Sequence, residues 1–584
     1  MCGIAGVSLK KGQHAKPEHL APLAAALAHR GPDGEGFWYQ SSVGLAHRRL
    51  SIIDVAGGKQ PLTTPTHALV VNGELYNYKP LQAALRRAGA ELQTDSDSEV
   101  ALHLAVQHGL KAMPSHLQGM YALACAEADS GMLLLATDPF GIKPLYYCQT
   151  NVGLAFASEP AALAKAGWVR PQLNAAVLPM LLNRHYSVGS ATLWQGLQRL
   201  LPGERLLVQH GEIVERWRQL PTLPAANPAL NPADFPAQLE AAVARHLQAD
   251  VPLGLLLSGG LDSSALAVMM RQLGTPVHAY TARIEVANGP NEADRAAALC
   301  QALGATHTVV PYTAEDFWPG LATLAAGLDD LTTDTAALPL FKLTARARQD
   351  VKILLSGEGG DETLAGYGHY RARQNFWKRL VAPFKARRQG DAAPFAALFR
   401  QPLATPPYQA AAWDDRGFTP LQRKQSTDLA NWLPHDLLLK LDRTTMANGV
   451  EGRVPYLDDT LAAFSFALPD AAKVNADYGK LPLRQFLAAQ GFDQPAWARK
   501  QGFSVGVGQF LQAKPQLLHG LWAQSAVLND LLQPTAAAKL LGNLRHNKTA
   551  NLATSLTLLA LWEAHHLRGT PLAELQERLG GSAW

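Results

Sequence analysis

The chain has 584 residues, 47% hydrophobic and 17% charged, which is ample for burying large cores but too long for a single one. A net charge of +4 is mild, the Lys and Arg residues are scattered rather than interleaved with aromatics, and no apolar stretch approaches the ~20 residues of a membrane span. At least two domains are expected, with no nucleic-acid and no membrane partner.

The N-terminus lacks a basic segment followed by an apolar one, so a cytosolic (cytoplasmic) location is expected. Cys2, Cys125, Cys148 and Cys300 are too few and too widely spaced for a disulfide framework or a zinc site, and the last three read as buried, inert thiols. Cys2 is different. Removal of Met1 would leave one residue carrying a thiol nucleophile and a free α-amine able to act as its base. An α-amine titrates near ~8 and a thiol near ~8.5, so a proton passes between them at little cost.

From Met1 to about Gly203 the pattern is of short strands and two clear helices, with a hairpin turn at Ala128-Asp129-Ser130-Gly131. This predicts a layered sandwich of sheets flanked by helices. Four segments stand out: His29-Arg30-Gly31-Pro32-Asp33-Gly34, His47-Arg48-Arg49-Leu50-Ser51-Ile52-Ile53, Val71-Asn72-Gly73-Glu74-Leu75-Tyr76-Asn77 and Ser96-Asp97-Ser98-Glu99. Taken singly they read as a helix stop, a half-buried strand, a strand ending in an Asn-Gly turn and a capping box.

In this order behind Cys2, the four segments resemble the glutaminase domain of the class II glutamine amidotransferases. The resemblance implies an N-terminal nucleophile α/β/β/α sandwich. It implies that Arg49, with Leu50, Ser51, Ile52 and Ile53 beside it, binds glutamine by its α-carboxylate, while Glu74 and Asp97 hold the α-ammonium. The Asn72 side chain and the Gly73 backbone N–H would form the oxyanion hole for attack by the Cys2 thiolate. Glutamate and ammonia would be the products.

The first domain is set at 1–205, a linker at 206–235, and a second domain at 236–584. The Pro/Ala/Asn-rich part of the linker runs from Pro221 to Pro236 and leads into a helix near Ala237 to Gln248. Val251 to Leu257 then reads as a buried strand, ending in Ser258-Gly259-Gly260-Leu261-Asp262-Ser263-Ser264, with a helix from Ala265 to Leu273. Backbone N–H groups of such a loop at a helix start cradle phosphates. No Gly-Lys-Ser/Thr follows, so this is not the loop of γ-phosphate chemistry. Strands at Val277–Ile284, Thr308–Tyr312 and Val351–Leu355 and a helix at Glu292–Leu303 predict a doubly wound parallel sheet. The last strand ends in a second loop, Ser356-Gly357-Glu358-Gly359-Gly360-Asp361-Glu362.

The two loops resemble those of the ATP pyrophosphatases, and specifically of the asparagine synthetase family. The resemblance implies that Leu257, Ser258, Gly259, Gly260, Asp262, Ser263, Ala282, Ser356, Gly357 and Lys500 contact ATP, and that Asp262 and Asp361 hold Mg²⁺. It implies that Glu358 acts at the β-aspartyl-AMP stage and that Lys500 offsets phosphate charge, although alone Lys500 reads as a solvated surface charge. Glutamine, aspartate and ATP would be the substrates, and family habit suggests a homodimer.

Further family echoes are Leu441-Asp442-Arg443-Thr444-Thr445-Met446-Ala447-Asn448, Glu451-Gly452-Arg453-Val454-Pro455-Tyr456-Leu457-Asp458 and a closing helical run from Leu556 to His566. Arg443, Glu451 and Arg453 fit either a structural ion-pair network or direct acceptor binding. Departures cluster around the acceptor: Ala336 stands where a hydroxyl residue is expected, Ala282-Arg283 replaces an apolar-Gly pair, and Thr363-Leu364-Ala365-Gly366-Tyr367 follows Glu362. The alternative is therefore the same mechanism acting on another carboxylate, such as a sugar acid, a peptide or a biosynthetic intermediate. Liberated ammonia is expected to pass internally, because bulk water would protonate it.

Overall fold

The strand His67–Leu75 sends Leu69 and Val71 to one side of its sheet and Ala68 and Val70 to the other, and all four are buried. Both faces must therefore be covered. In the computed structural model, which describes residues 2–285, 292–371, 393–401, 403, 413, 415–498 and 506–581, a six-stranded sheet covers one of those faces. Its strands run in the order Gln198–Arg199, Tyr146–Thr150, Gly153–Ala157, Gly3–Leu9, Val43–Arg49 and Gly34–Gln40. The sheet containing His67–Leu75 is also six-stranded, in the order Glu212–Arg218, Glu204–Gln209, Met132–Thr137, Gly119–Glu127, His67–Leu75 and Leu62–Thr63. Ile4, Leu45, Val70, Ala124, Leu135 and Phe156 pack between the two sheets.

Helices Tyr78–Arg87 and Glu99–His108 cover the outer face of the second sheet through Leu85, Val100 and Leu104. Helices Pro17–Ala26 and Pro160–Lys165 cover the first through Leu20, Leu23 and Leu163. The result is the expected α/β/β/α sandwich, with more helix than the two segments legible in the sequence.

Two local expectations change. Residues 206–218, expected as linker, belong to the hairpin Glu204–Gln209 and Glu212–Arg218 at the edge of the second sheet. Asn72-Gly73, expected as a turn, lies inside a strand, where Gly73 pairs with Tyr121 and an added Cβ would come within 2.0 Å of the Met120 carbonyl oxygen.

The C-terminal half holds a five-stranded, all-parallel sheet in the order Thr306–Tyr312, His278–Ile284, Leu253–Leu256, Ile353–Leu355 and Glu451–Arg453. Chain order proceeds outward in one direction from Leu253–Leu256 and in the other from Ile353–Leu355. These neighbours form the switch point, and the two Gly-rich loops leave from their carboxyl ends. The predicted helix Glu292–Leu303 is present at those bounds, while the helix after the first loop begins at Leu261, four residues before its apolar pattern starts. The helix Asn547–Trp562 precedes a π-helical turn at Glu563–Leu567.

The two halves share one core. Leu20, Leu163, Trp194, Phe317 and Trp562 belong to a single buried cluster, and the Trp194 and Trp562 indoles both donate to the Asp329 carbonyl oxygen, at 2.7 and 2.9 Å. Among the described residues no helix is long and apolar enough to cross a membrane.

Candidate active site

Cys2 precedes the first strand and is buried at 8% exposure, and its backbone N–H, the atom that Met1 removal would turn into an amine, donates to Asn72 Oδ1 at 2.9 Å. Its Sγ lies 3.9 Å from the Leu50 carbonyl oxygen. Burial holds the thiol pKa above its ordinary value in the intact chain. Asn72 is fully buried, and its Nδ2 has no hydrogen-bond partner among the described residues. A buried donor left unused beside a nucleophile suits a charge that appears only during reaction.

Arg49 ends the neighbouring strand, and the loop after it curls round its guanidinium: Nη1 donates to the Val55 carbonyl at 2.9 Å and Nη2 to the Asp54 carbonyl at 2.6 Å. Ser51 N–H donates to Asp33 at 2.8 Å. Leu50 and Ile52 point into the core of the second domain beside Leu255 and Leu266, with Ile53 packed against it, so these three positions dock the domains through their side chains. Asp97 accepts the Leu75 N–H at 2.8 Å, and burial pushes its carboxyl up to about 6. Glu74 is raised as well, by burial and by the charge of Asp97. Glu74 is not open to glutamine alone, because Arg453 of the second domain pairs with it at 3.1 Å.

The two Gly-rich loops touch. A Cβ on Gly357 would lie 2.8 Å from the Asp262 Cβ, and one on Gly360 would lie 2.4 Å from Asp262 Oδ1. The first loop folds on itself: Ser263 Oγ accepts from Ser258 N–H, and Ser258 Oγ accepts from Gly260 N–H, both at 3.3 Å. Gly259 takes φ +68°, a left-handed conformation that costs glycine nothing. Leu257 is anchored rather than presented: its side chain is in the core, its N–H donates to Tyr280 O at 2.9 Å, and its carbonyl accepts Thr281 Oγ1 at 2.6 Å. Ala282 is half-buried in the adjacent strand.

Asp262 and Asp361 converge on a lysine, and that lysine is Lys480. Its ammonium pairs with Asp262 and lies 2.7 Å from Asp361. Burial works against its charge, but the two carboxylates outweigh burial and raise its pKa. The approach is close: a Cβ on Gly366 would fall 2.2 Å from Lys480 Cε. Lys480 itself has φ +57°, in the left-handed region disfavoured for a side-chain residue, and such strain gathers at working sites. Lys500 lies outside the described residues. Lys480 was missed in the sequence because Gly479-Lys480 ahead of an apolar helix reads as an ordinary helix start.

Glu358 lies within electrostatic reach of Asp262, Asp361 and Lys440, and burial raises its carboxyl against the opposing pull of Lys440. Lys440 pairs with Asp334 at 2.6 Å. Arg443, Glu451 and Arg453 resolve as a buried ion-pair network: Arg443 lies 3.0 Å from Asp329, Arg453 lies 2.6 Å from Glu451, and each of the three is at most 1% exposed. Arg30 joins that network from the first domain, donating to the Cys2 carbonyl at 3.1 Å and gripping Asp442 through two bonds of 2.9 and 3.0 Å.

The geometry is that of a buried thiol pocket joined to a phosphate-loop cleft. The sequence profile described as asparagine synthase matches residues 234–566, more than half of the chain, and the profile of a glutamine amidotransferase domain matches residues 1–218. The chain belongs to the asparagine synthase family. A Mycobacterium tuberculosis relative is 31% identical over 99% of both chains. Asparagine synthetase [glutamine-hydrolyzing] 1 of Bacillus subtilis is 30% identical over 88% of both, and asparagine synthetase [glutamine-hydrolyzing] 2 of Arabidopsis thaliana is 27% identical over 87% of this chain and 79% of the plant protein. As a member of the asparagine synthase family with an amidotransferase domain, the protein is a glutamine-dependent ligase.

Proposed function

We propose that the protein converts aspartate to asparagine, using glutamine as nitrogen donor and ATP as the activating co-substrate. In this reading the first domain ends after the hairpin at Arg218, and the protein works as a cytosolic homodimer, the location resting on the sequence of the N-terminus and the homodimer on family habit.

Once Met1 is removed, the Cys2 amine takes the thiol proton and the thiolate attacks the side-chain amide of glutamine. Arg49 holds the substrate carboxylate, and Asp97 with Glu74 holds the ammonium. Asn72 Nδ2 and the Gly73 N–H donate to the oxygen as it gains charge. Ammonia leaves and water later releases glutamate from the thioester. In the second domain, an oxygen of the acceptor's β-carboxylate attacks the α-phosphorus of ATP and pyrophosphate departs. Ammonia then attacks the acyl carbon, AMP departs, and Glu358 takes the surplus proton.

The cleft suits a divalent ion. Asp262 and Asp361 already converge on one cationic group, and two carboxylates plus phosphate oxygens and water form a donor set that Mg²⁺ accepts. Such an ion, when bound, would neutralise phosphate charge. Lys480, which pairs with both carboxylates, would add a second positive charge beside the phosphates.

The observation that carries the reading is the position of Arg453. Its guanidinium pairs with Glu74 of the thiol pocket, and its carbonyl accepts the N–H of Ser356, the first residue of the second loop, at 2.8 Å. Pyrophosphate release from ATP tests the reading: aspartate with glutamine should support it and yield asparagine. Silence with aspartate beside turnover of a sugar acid or peptide carboxylate would overturn the choice of acceptor.

A further inference from the structure

Lys440 sits among three carboxyl groups, Asp334, Glu358 and Asp436, whose charges all act on it. Two of the three differ in what they have left to bind. Asp334 is fully engaged: Oδ1 accepts the Ala336 N–H at 3.0 Å and Oδ2 accepts Lys440 Nζ at 2.6 Å. Asp436 accepts the Trp432 indole N–H on Oδ2 at 2.9 Å, while its Oδ1 has no hydrogen-bond partner among the described residues. Only 5% of Asp436 is exposed. A buried carboxylate oxygen without a donor is costly, and such atoms call for a specific reason.

The backbone gives a second indication. Asp436 lies in a π-helical turn, Leu433–Leu437, immediately before the helix Leu438–Met446 that carries Lys440. Single π turns inside helices are uncommon and recur at functional sites. Here the turn brings Asp436 within the electrostatic reach of Asp334 and Lys440. Burial and the charge of Asp334 raise the Asp436 carboxyl, as expected of a group short of a counter-ion.

Two basic groups face three carboxyl groups in this corner: Lys440 acts on Asp334, Glu358 and Asp436, and His185 acts on Asp334 and Asp436. The carboxyl groups outnumber the basic groups by one, and neither basic group hydrogen-bonds to Asp436 Oδ1. An acceptor bearing only carboxylates would add to the repulsion, whereas one that also carries a protonated amine would supply the missing charge. We propose that Asp436 Oδ1 binds the α-ammonium of the acceptor and selects amino-acid carboxylates over carboxylates without an amine. This deepens the reading given above and rests on it.

Aspartate and succinate differ only in that amine. Their dissociation constants should be measured calorimetrically on the full-length protein with Mg²⁺ and α,β-methylene-ATP, for the parent chain and for Asp436→Asn. The variant is expected to bind aspartate roughly 30-fold or more weakly, the scale seen when one partner of a buried charge pair is removed, with succinate shifted less than about threefold. Asp436→Glu should recover part of the aspartate affinity, and glutamate release at Cys2 should be unchanged in both, showing that they fold. Equal weakening of the two ligands, or none, would overturn the proposal. If the parent chain fails to bind aspartate, the functional reading fails separately. The variants are then compared on the carboxylate that supports pyrophosphate release, and an acceptor without a protonated amine overturns the proposal.

Discussion

Glu74 and Arg453 form an ion pair across the boundary between the two domains, Oε1 to Nη2 at 3.1 Å, with Arg453 wholly buried. Glu74 belongs to the pocket around Cys2, and Arg453 ends the strand beside the one that feeds the second Gly-rich loop. Replacing Arg453 by Met removes the charge that faces both Glu74 and Glu451. The expected cost is about 3–5 kcal/mol, because breaking one side of a buried pair leaves uncompensated charge. Urea midpoints measure it, and Glu74→Gln introduced together with Arg453→Met should recover part of the loss.

Asn72→Ala removes the buried Nδ2 donor and the acceptor of the Cys2 nitrogen together. Glutamine hydrolysis should fall by roughly 100- to 1,000-fold in kcat, the usual consequence of losing one oxyanion donor. Synthesis driven by added ammonium should stay within about twofold, since Asn72 belongs to the first domain only. Parallel assays with the two nitrogen sources check both statements.

Asp97 gives a pH signature. Burial pushes its carboxyl up to about 6 from an ordinary value near ~3.9, and only the ionised form can hold an ammonium group. kcat/KM for glutamine should therefore drop about tenfold per pH unit as pH falls below that value, and the limb should vanish in Asp97→Asn. The linked effect on stability has the opposite sense: a raised carboxyl favours the fold at low pH, and that contribution disappears as pH rises through about 6. Asp97→Asn should accordingly gain stability at pH 8 relative to pH 5, read from urea midpoints.

Lys480→Ala leaves Asp262 and Asp361 without the cation they share. Pyrophosphate release should fall at least 100-fold in kcat while glutaminase activity at Cys2 is retained. Lys500→Ala, assayed beside it, tests the phosphate-neutralising role that the family resemblance implies for Lys500.

Much of this was legible in the sequence. The strand leading into Asn72-Gly73 was legible, though not its burial on both faces, and the two Gly-rich loops after buried strands announced the cleft. Local chemistry writes such features into consecutive residues. Lys480, Asp436 and the pair Glu74–Arg453 were not legible, because each draws its meaning from a residue far along the chain. Lys480 meets Asp262 only after the loop at Ala365-Gly366 closes against Gly479, and no spacing rule encodes that approach. The edge hairpin at 204–218 carries a strand signal in Leu206-Leu207-Val208 and a turn at His210-Gly211, but the Pro/Ala/Asn-rich stretch that follows drew the linker back over it. Asn72-Gly73 misled in the other direction, since a dipeptide common in turns occupies a strand interior where only a hydrogen atom fits against the Met120 carbonyl.

The central claim, that nitrogen freed at Cys2 reaches an acyl-adenylate inside the same molecule, is tested most directly by isotope competition. Glutamine carrying ¹⁵N in its side-chain amide is supplied with aspartate and ATP in the presence of excess unlabelled ammonium, and the amide of the product asparagine is analysed by mass spectrometry. The account predicts an amide that keeps most of the label in the parent protein, and Cys2→Ala making only unlabelled asparagine. A label diluted to the bulk ammonium ratio would contradict internal transfer.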